Sequence, residues 1–181
     1  RGPPHGPTNA AVRPDRDHEH GRIWRIQHRR AKPAVVPELT VVPELAQADE
    51  LRLVSALEHP NGWVRGTAQR LLCERETLAA PTQVALQEKA LASYAPTGRI
   101  TALWTLARVA PERLLSVSAS AQQDMLAGVR KNAFRALGSL DDWAVTRGLS
   151  HLERVFDERD ARARLAGLVL LRRVMPEAAY P

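Results

Sequence analysis

Four arginines, Arg65, Arg99, Arg130 and Arg164, stand 34, 31 and 34 residues apart, and each opens the same short pattern. A small residue follows three positions later (Ala68, Ala102, Ala133, Gly167) and a leucine seven positions later (Leu72, Leu106, Leu137, Leu171). Both offsets fall on one face of an α-helix, so each pattern marks a helix whose small residue admits a neighbour and whose leucine fills the space behind it. A period of this length belongs to arrays of helical hairpins. One hairpin leaves a face uncovered and must stack on the next.

The clearest copy begins at Pro60-Asn61-Gly62, a turn, after which Val64, Ala68, Leu71 and Leu72 recur at helical period. Before it, Leu51, Val54 and Leu57 fall three apart and supply the facing helix. The same reasoning predicts first helices at 50–58, 82–93, 112–118 and 142–157, the third being the shortest. The composition agrees: Ala and Leu prevail and only 4% of residues are aromatic, which suits closely packed helices and not a β-sandwich.

The chain ahead of the repeats reads differently. Pro3, Pro4, Pro7 and Pro14 exclude helix or central strand from residues 1–17. Gly21-Arg22-Ile23-Trp24-Arg25-Ile26 then alternates in the manner of one short strand. A lone strand needs partners, so residues 1–32 are expected to be the last edge of an upstream β-domain. Pro33, Pro37 and Pro43 make 33–48 an extended linker, and the repeat domain occupies 49–181. The first residue is Arg and not Met, so the chain reads as a piece of a longer polypeptide, with any signal or anchor upstream.

The formal charge of +6 is unevenly spread: up to Lys32 there are eight Lys or Arg against three Asp or Glu, and the repeats are nearly neutral. No stacking platform or base-reading helix accompanies the basic arm, which argues against nucleic acid as the partner. Cys73 is the only cysteine, so no internal disulfide or multi-cysteine zinc site exists, and its place beside Leu71 and Leu72 predicts a half-buried, inert thiol. His18 and His20 bracket Glu19 at a spacing two metal ligands use, but two ligands do not make a site; His5, His28, His59 and His151 are scattered. The apolar run 165–171 is too short to span a bilayer. No Ser-His-Asp order, phosphate-cradling glycine loop or paired catalytic carboxylates emerge, and Asp141-Asp142, Asp157-Glu158 and Asp160 are explained by helix capping. Catalytic, cofactor-binding and metal residues are therefore all expected to be absent. Trp24, Trp63, Trp104 and Trp143 are nearly evenly spaced but occupy different places in the pattern; each reads as packing, with Trp104 the deepest.

The pattern resembles the HEAT repeat family, whose second helices open with Asp, then Val-Arg, then Ala; Asp124, Val129, Arg130 and Ala133 match it in full. The implied fold is an all-α, HEAT-like α-solenoid of about four hairpins. Taken together, residues 21–26, the stretch from His59-Pro60-Asn61-Gly62-Trp63-Val64-Arg65 to Leu72, and Ala102-Leu103-Trp104-Thr105-Leu106 are similar to the large multidomain membrane-bound dehydrogenases of planctomycetes and related bacteria. In that family a β-propeller resembling quinone-dependent sugar dehydrogenases precedes HEAT-like repeats and a haem-binding cytochrome c domain. The resemblance makes 21–26 the closing propeller strand and implies a periplasmic or cell-envelope setting. It places no quinone, metal or sugar ligand in these residues, and a single cysteine excludes a Cys-x-x-Cys-His haem site.

Two functions follow as expectations. One is a non-catalytic spacer between a propeller oxidoreductase and a cytochrome domain of the same polypeptide; the alternative is an interaction solenoid that binds a protein partner in its groove. An apolar or charged stripe along the second helices favours the alternative, and a bland groove favours the spacer.

Overall fold

The computed structural model describes residues 44–141 and 149–175. The chain divides into two compact units, Arg1–Thr40 and Val41–Pro181, and every described residue belongs to the second. The expected strand at 21–26, the histidine pair His18 and His20, Trp24, Trp143 and most of the linker lie outside the described residues.

Among the described residues seven α-helices follow one another: α1 (Glu50–Ala56), α2 (Gly62–Cys73), α3 (Ala80–Ala92), α4 (Pro96–Val109), α5 (Pro111–Ala121), α6 (Ala127–Leu137) and α7 (Ala161–Val174), with a 3-10 segment at Leu149–Asp157. No strand occurs among the described residues, so the described chain is all-helical and compatible with an α-solenoid. The starts follow local chemistry. Asp49, Asn61 and Asp160 cap α1, α2 and α7 by accepting from backbone N–H groups of the first turn. Helices α3, α4 and α5 lack such a cap and open on Pro81, Pro96 and Pro111, whose fixed φ suits a first turn. The third first helix, α5, is longer than the expected 112–118, because Pro111 starts it with only Ala110 between it and α4, and Ala121 remains buried at its far end.

The helices pack in two layers. Helices α1, α3 and α5 touch in sequence, as do α2, α4, α6 and α7, while α1 pairs with α2, α3 with α4 and α5 with α6. The residues of the recurring pattern lie between the layers: Ala68, Ala102 and Ala133 are fully buried, and so are Leu72 and Leu106. Gly167 occupies the same place in α7. A Cβ built there would sit 2.6 Å from Val155 Cγ2 and 3.3 Å from Phe134 Cε1, so the 3-10 segment approaches more closely than even alanine permits. A second close approach, at Gly98, joins the start of α4 to Ser93 and to Glu58 beyond the end of α1; a Cβ there would lie 2.6 Å from Ser93 Oγ.

Of the two described tryptophans, Trp63 departs from the packing expectation and Trp104 meets it, though less deeply than expected. Trp63 follows the α2 cap and is 63% exposed, while Trp104 is half-buried, resting on the core and donating its Nε1–H to Asn132 Oδ1 at 3.0 Å. The indole N–H needs a polar partner, and reaching one on α6 holds the ring at the edge of the layer.

Candidate binding groove

The recurring arginines have a shared job. Arg65, Arg99 and Arg130 each turn back and donate Nη1 to the carbonyl six residues earlier, on His59 (2.6 Å), Ser93 (2.5 Å) and Asp124 (2.8 Å). Each guanidinium thereby closes the turn that leads into its own helix, supplying donors to carbonyls that lack helical partners.

Two of them also reach forward to the next hairpin. Arg99 Nε lies 2.8 Å from Asp124 Oδ2, and Arg130 meets Glu158 twice, Nε to Oε2 and Nη2 to Oε1, each at 2.7 Å. Glu158, with 7% of its side chain exposed, was expected only to cap a helix; instead it is the acid of a two-contact ion pair that joins α6 to the following hairpin. The hydrogen bonds from Arg130 come first in holding its carboxyl below the usual range, against the opposing effect of burial and with help from the Asp160 N–H. Glu58 is lowered in the same direction, by the Ser93 hydroxyl first and Lys89 second. Asp160 does act as the cap expected of it, accepting from Arg162 and Ala163 N–H at 3.0 Å. Arg164, last in the series, makes no comparable bond among the described residues.

These pattern residues face the turns and the space between layers. The positions one and five after each arginine lie on the other side of the second helices, and there the copies disagree: Gly66 and Arg70, Ile100 and Trp104, Lys131 and Arg135, Leu165 and Val169. Along the last two pairs, with Trp104 at one edge, a groove of about 500 Å³ opens between α6 and α7. Phe134 and Leu170 form its buried floor, while Leu165 and Val169 stand in its wall, each 62% exposed. Lys131, Arg135, Arg162 and Arg173 also line it, and among the described residues no carboxylate does. Arg173 donates to the carbonyls of Gly138 and Leu140, closing the end of α6.

A second cleft, of about 540 Å³, lies at the turn end. There Arg130, Arg154 and Arg159 are balanced by Asp124, Asp157 and Glu158, two of which already hold arginines. Its electrostatics are internally compensated, unlike those of the groove.

The described residues contain no group of three or more His, Cys, Asp or Glu placed to hold a metal ion, and no helix long and apolar enough to cross a membrane. Cys73 is half-buried, and burial pushes its thiol above the ordinary value. No protein-family model matches the chain, and no curated protein matches it.

Proposed function

We propose that residues 49–181 form a HEAT-like α-solenoid that serves as a non-catalytic interaction scaffold, receiving a segment of a partner polypeptide along its second helices. The observation that carries this reading is the groove between α6 and α7. Leu165 and Val169 are held in the open on a well-capped helix, where two polar residues would serve the fold equally well. A pure spacer needs no such surface, so the groove favours interaction over spacing. In the multidomain setting that the sequence resemblance implies, the flanking propeller and cytochrome domains are the nearest polypeptides that could supply the segment.

A random-peptide display selection against the full chain tests the proposal, with the Leu165→Asp, Val169→Asp double variant for counter-selection. Peptides are expected to be enriched on the wild-type chain, to lose binding to the double variant, and to slow hydrogen exchange in α6 and α7. If no peptide is enriched, or if protection falls elsewhere, the scaffold reading is overturned.

A further inference from the structure

Resting on the interaction reading above, we infer that the groove between α6 and α7 takes an acidic amphipathic helix: two apolar residues one turn apart, flanked by Asp or Glu. The argument starts from spacing. Leu165 and Val169 are four apart on α7 and thus form an exposed apolar strip one turn long, with Ala166 and Leu170 beside them toward the floor. A partner helix offering apolar residues at the same spacing covers that strip by ordinary ridge-in-groove packing. From Lys131 to the end of α6 at Leu137 the groove runs about 9 Å, enough for a little over one turn of such a helix.

Charge then selects among amphipathic partners. Lys131 and Arg135 stand on one bank, Arg162 on the other, and none of the three makes a salt bridge among the described residues. Elsewhere in this stack three half-buried cations meet carboxylates: Lys89 meets Glu58, Arg99 meets Asp124 and Arg130 meets Glu158. Arg162 feels the Asp160 carboxylate at the α7 cap, but no described carboxylate lines the strip itself, so the three cations are the complement of carboxylates on the partner, and a basic helix would be repelled by the same three. Nucleic acid fits less well. Its phosphates would find the cations, but the exposed strip between them is aliphatic; of the aromatic rings in the groove, Phe134 is buried in the floor and Trp104 rests on the core at the edge with its Nε1–H already donated to Asn132.

The test uses the full chain and labelled helical peptides of about 16 residues, long enough to hold some helix alone. One carries Leu at two positions four apart with Glu on either side; a second replaces Glu by Lys, and a third replaces Leu by Ser. The Glu peptide is expected to bind, to weaken about tenfold as salt rises from about 0.05 M to about 0.5 M, and to outcompete both others. Lys131→Glu with Arg135→Glu, both surface changes, is expected to weaken the Glu peptide about tenfold and to turn the preference toward the Lys peptide, with an unchanged melting curve. Equal binding of Glu and Lys peptides overturns the inference. So does tighter binding of a single-stranded RNA or of anionic phosphatidylglycerol vesicles at the same salt, if Lys131→Glu with Arg135→Glu abolishes it. If display-selected peptides occupy the groove but are neutral or basic, the acidic specificity falls while the scaffold reading stands. If none occupies it, both fall.

Discussion

Glu158→Gln is the sharpest perturbation of the stack, because it keeps shape and removes one charge. In the wild-type chain Arg130 has 18% and Glu158 7% of its side chain exposed, and two parallel 2.7 Å contacts join them. The glutamine amide would present an NH2 to the guanidinium in place of one acceptor oxygen. Arg130 would keep its bonds to the Asp124 carbonyl (2.8 Å) and the Met125 carbonyl (3.1 Å) but would lose its counter-ion. Breaking a fully buried pair costs about 3–5 kcal/mol, and breaking an exposed one costs about 0.2–1 kcal/mol. This pair lies between those limits and nearer the first, so a loss of about 2–3 kcal/mol is expected, or about 5–10 °C in Tm for a domain of this size.

Urea denaturation followed by far-ultraviolet circular dichroism measures the loss directly, and an Arg130→Met, Glu158→Gln cycle isolates the coupling. The pH dependence supplies an independent check. The Glu158 carboxyl is lowered in the folded protein, so its stabilisation is complete above the unfolded value of about 4.3 and disappears as pH falls toward the folded one. The gap between wild type and Glu158→Gln should therefore be full at neutral pH and shrink below about pH 4. A loss under about 0.5 kcal/mol at neutral pH, or a gap that widens in acid, would refute the reasoning.

Gly98→Ala is expected to destabilise by about 1–3 kcal/mol, because the new methyl meets Ser93 and Glu58, whereas Gly66→Ala, with nothing within 4 Å, is expected to stabilise by about 0.5–1 kcal/mol; thermal melts that rank the two alike would remove the close-approach argument. Replacing the fully buried Ala133 by Phe is expected to overpack α6 and cost about 1–3 kcal/mol, and an unchanged melt would contradict it. Cys73, half-buried and with its thiol pushed up by burial, is expected to react with iodoacetamide more slowly than free cysteine and to reach the free rate only in denaturant; equal native and denatured rates would show the site to be open.

What the sequence made legible was whatever depends on residues within one helix. The arginine, the small residue and the leucine recur because three local demands recur: closing a turn, admitting a neighbour, filling the gap. Their offsets therefore survive as a pattern. Pairing between hairpins is less visible, since Arg130 finds Glu158 in the following hairpin at a distance in sequence that no helical period marks. A trace of it was present nonetheless: Glu158 stands six before Arg164 just as Asp124 stands six before Arg130, with Glu in place of Asp. Gly98 gave no sign, because its constraint is set by Ser93 in the preceding turn together with Glu58, which approaches from beyond the end of α1. The groove was hidden for a related reason: Leu165 and Val169 sit inside an apolar run in which Leu170 and Leu171 are buried, and only the helix's orientation in the layer separates the two sets.

That separation bears on function. If the second helices existed only to build the stack, both of their faces would answer to the same packing demands in every copy, and both would repeat. The face toward the first layer does repeat, in Ala68, Ala102 and Ala133 and in Leu72, Leu106 and Leu137. The opposite face carries glycine with arginine, isoleucine with tryptophan, lysine with arginine, and leucine with valine in successive copies, so stacking does not dictate it. Where architecture leaves a surface unconstrained, solvent favours polar residues there. The last copy departs from that default with two exposed aliphatic side chains, and its neighbour departs from charge balance with two adjacent cations. These departures meet in one groove, and a partner that is acidic and apolar together is the simplest single cause for both.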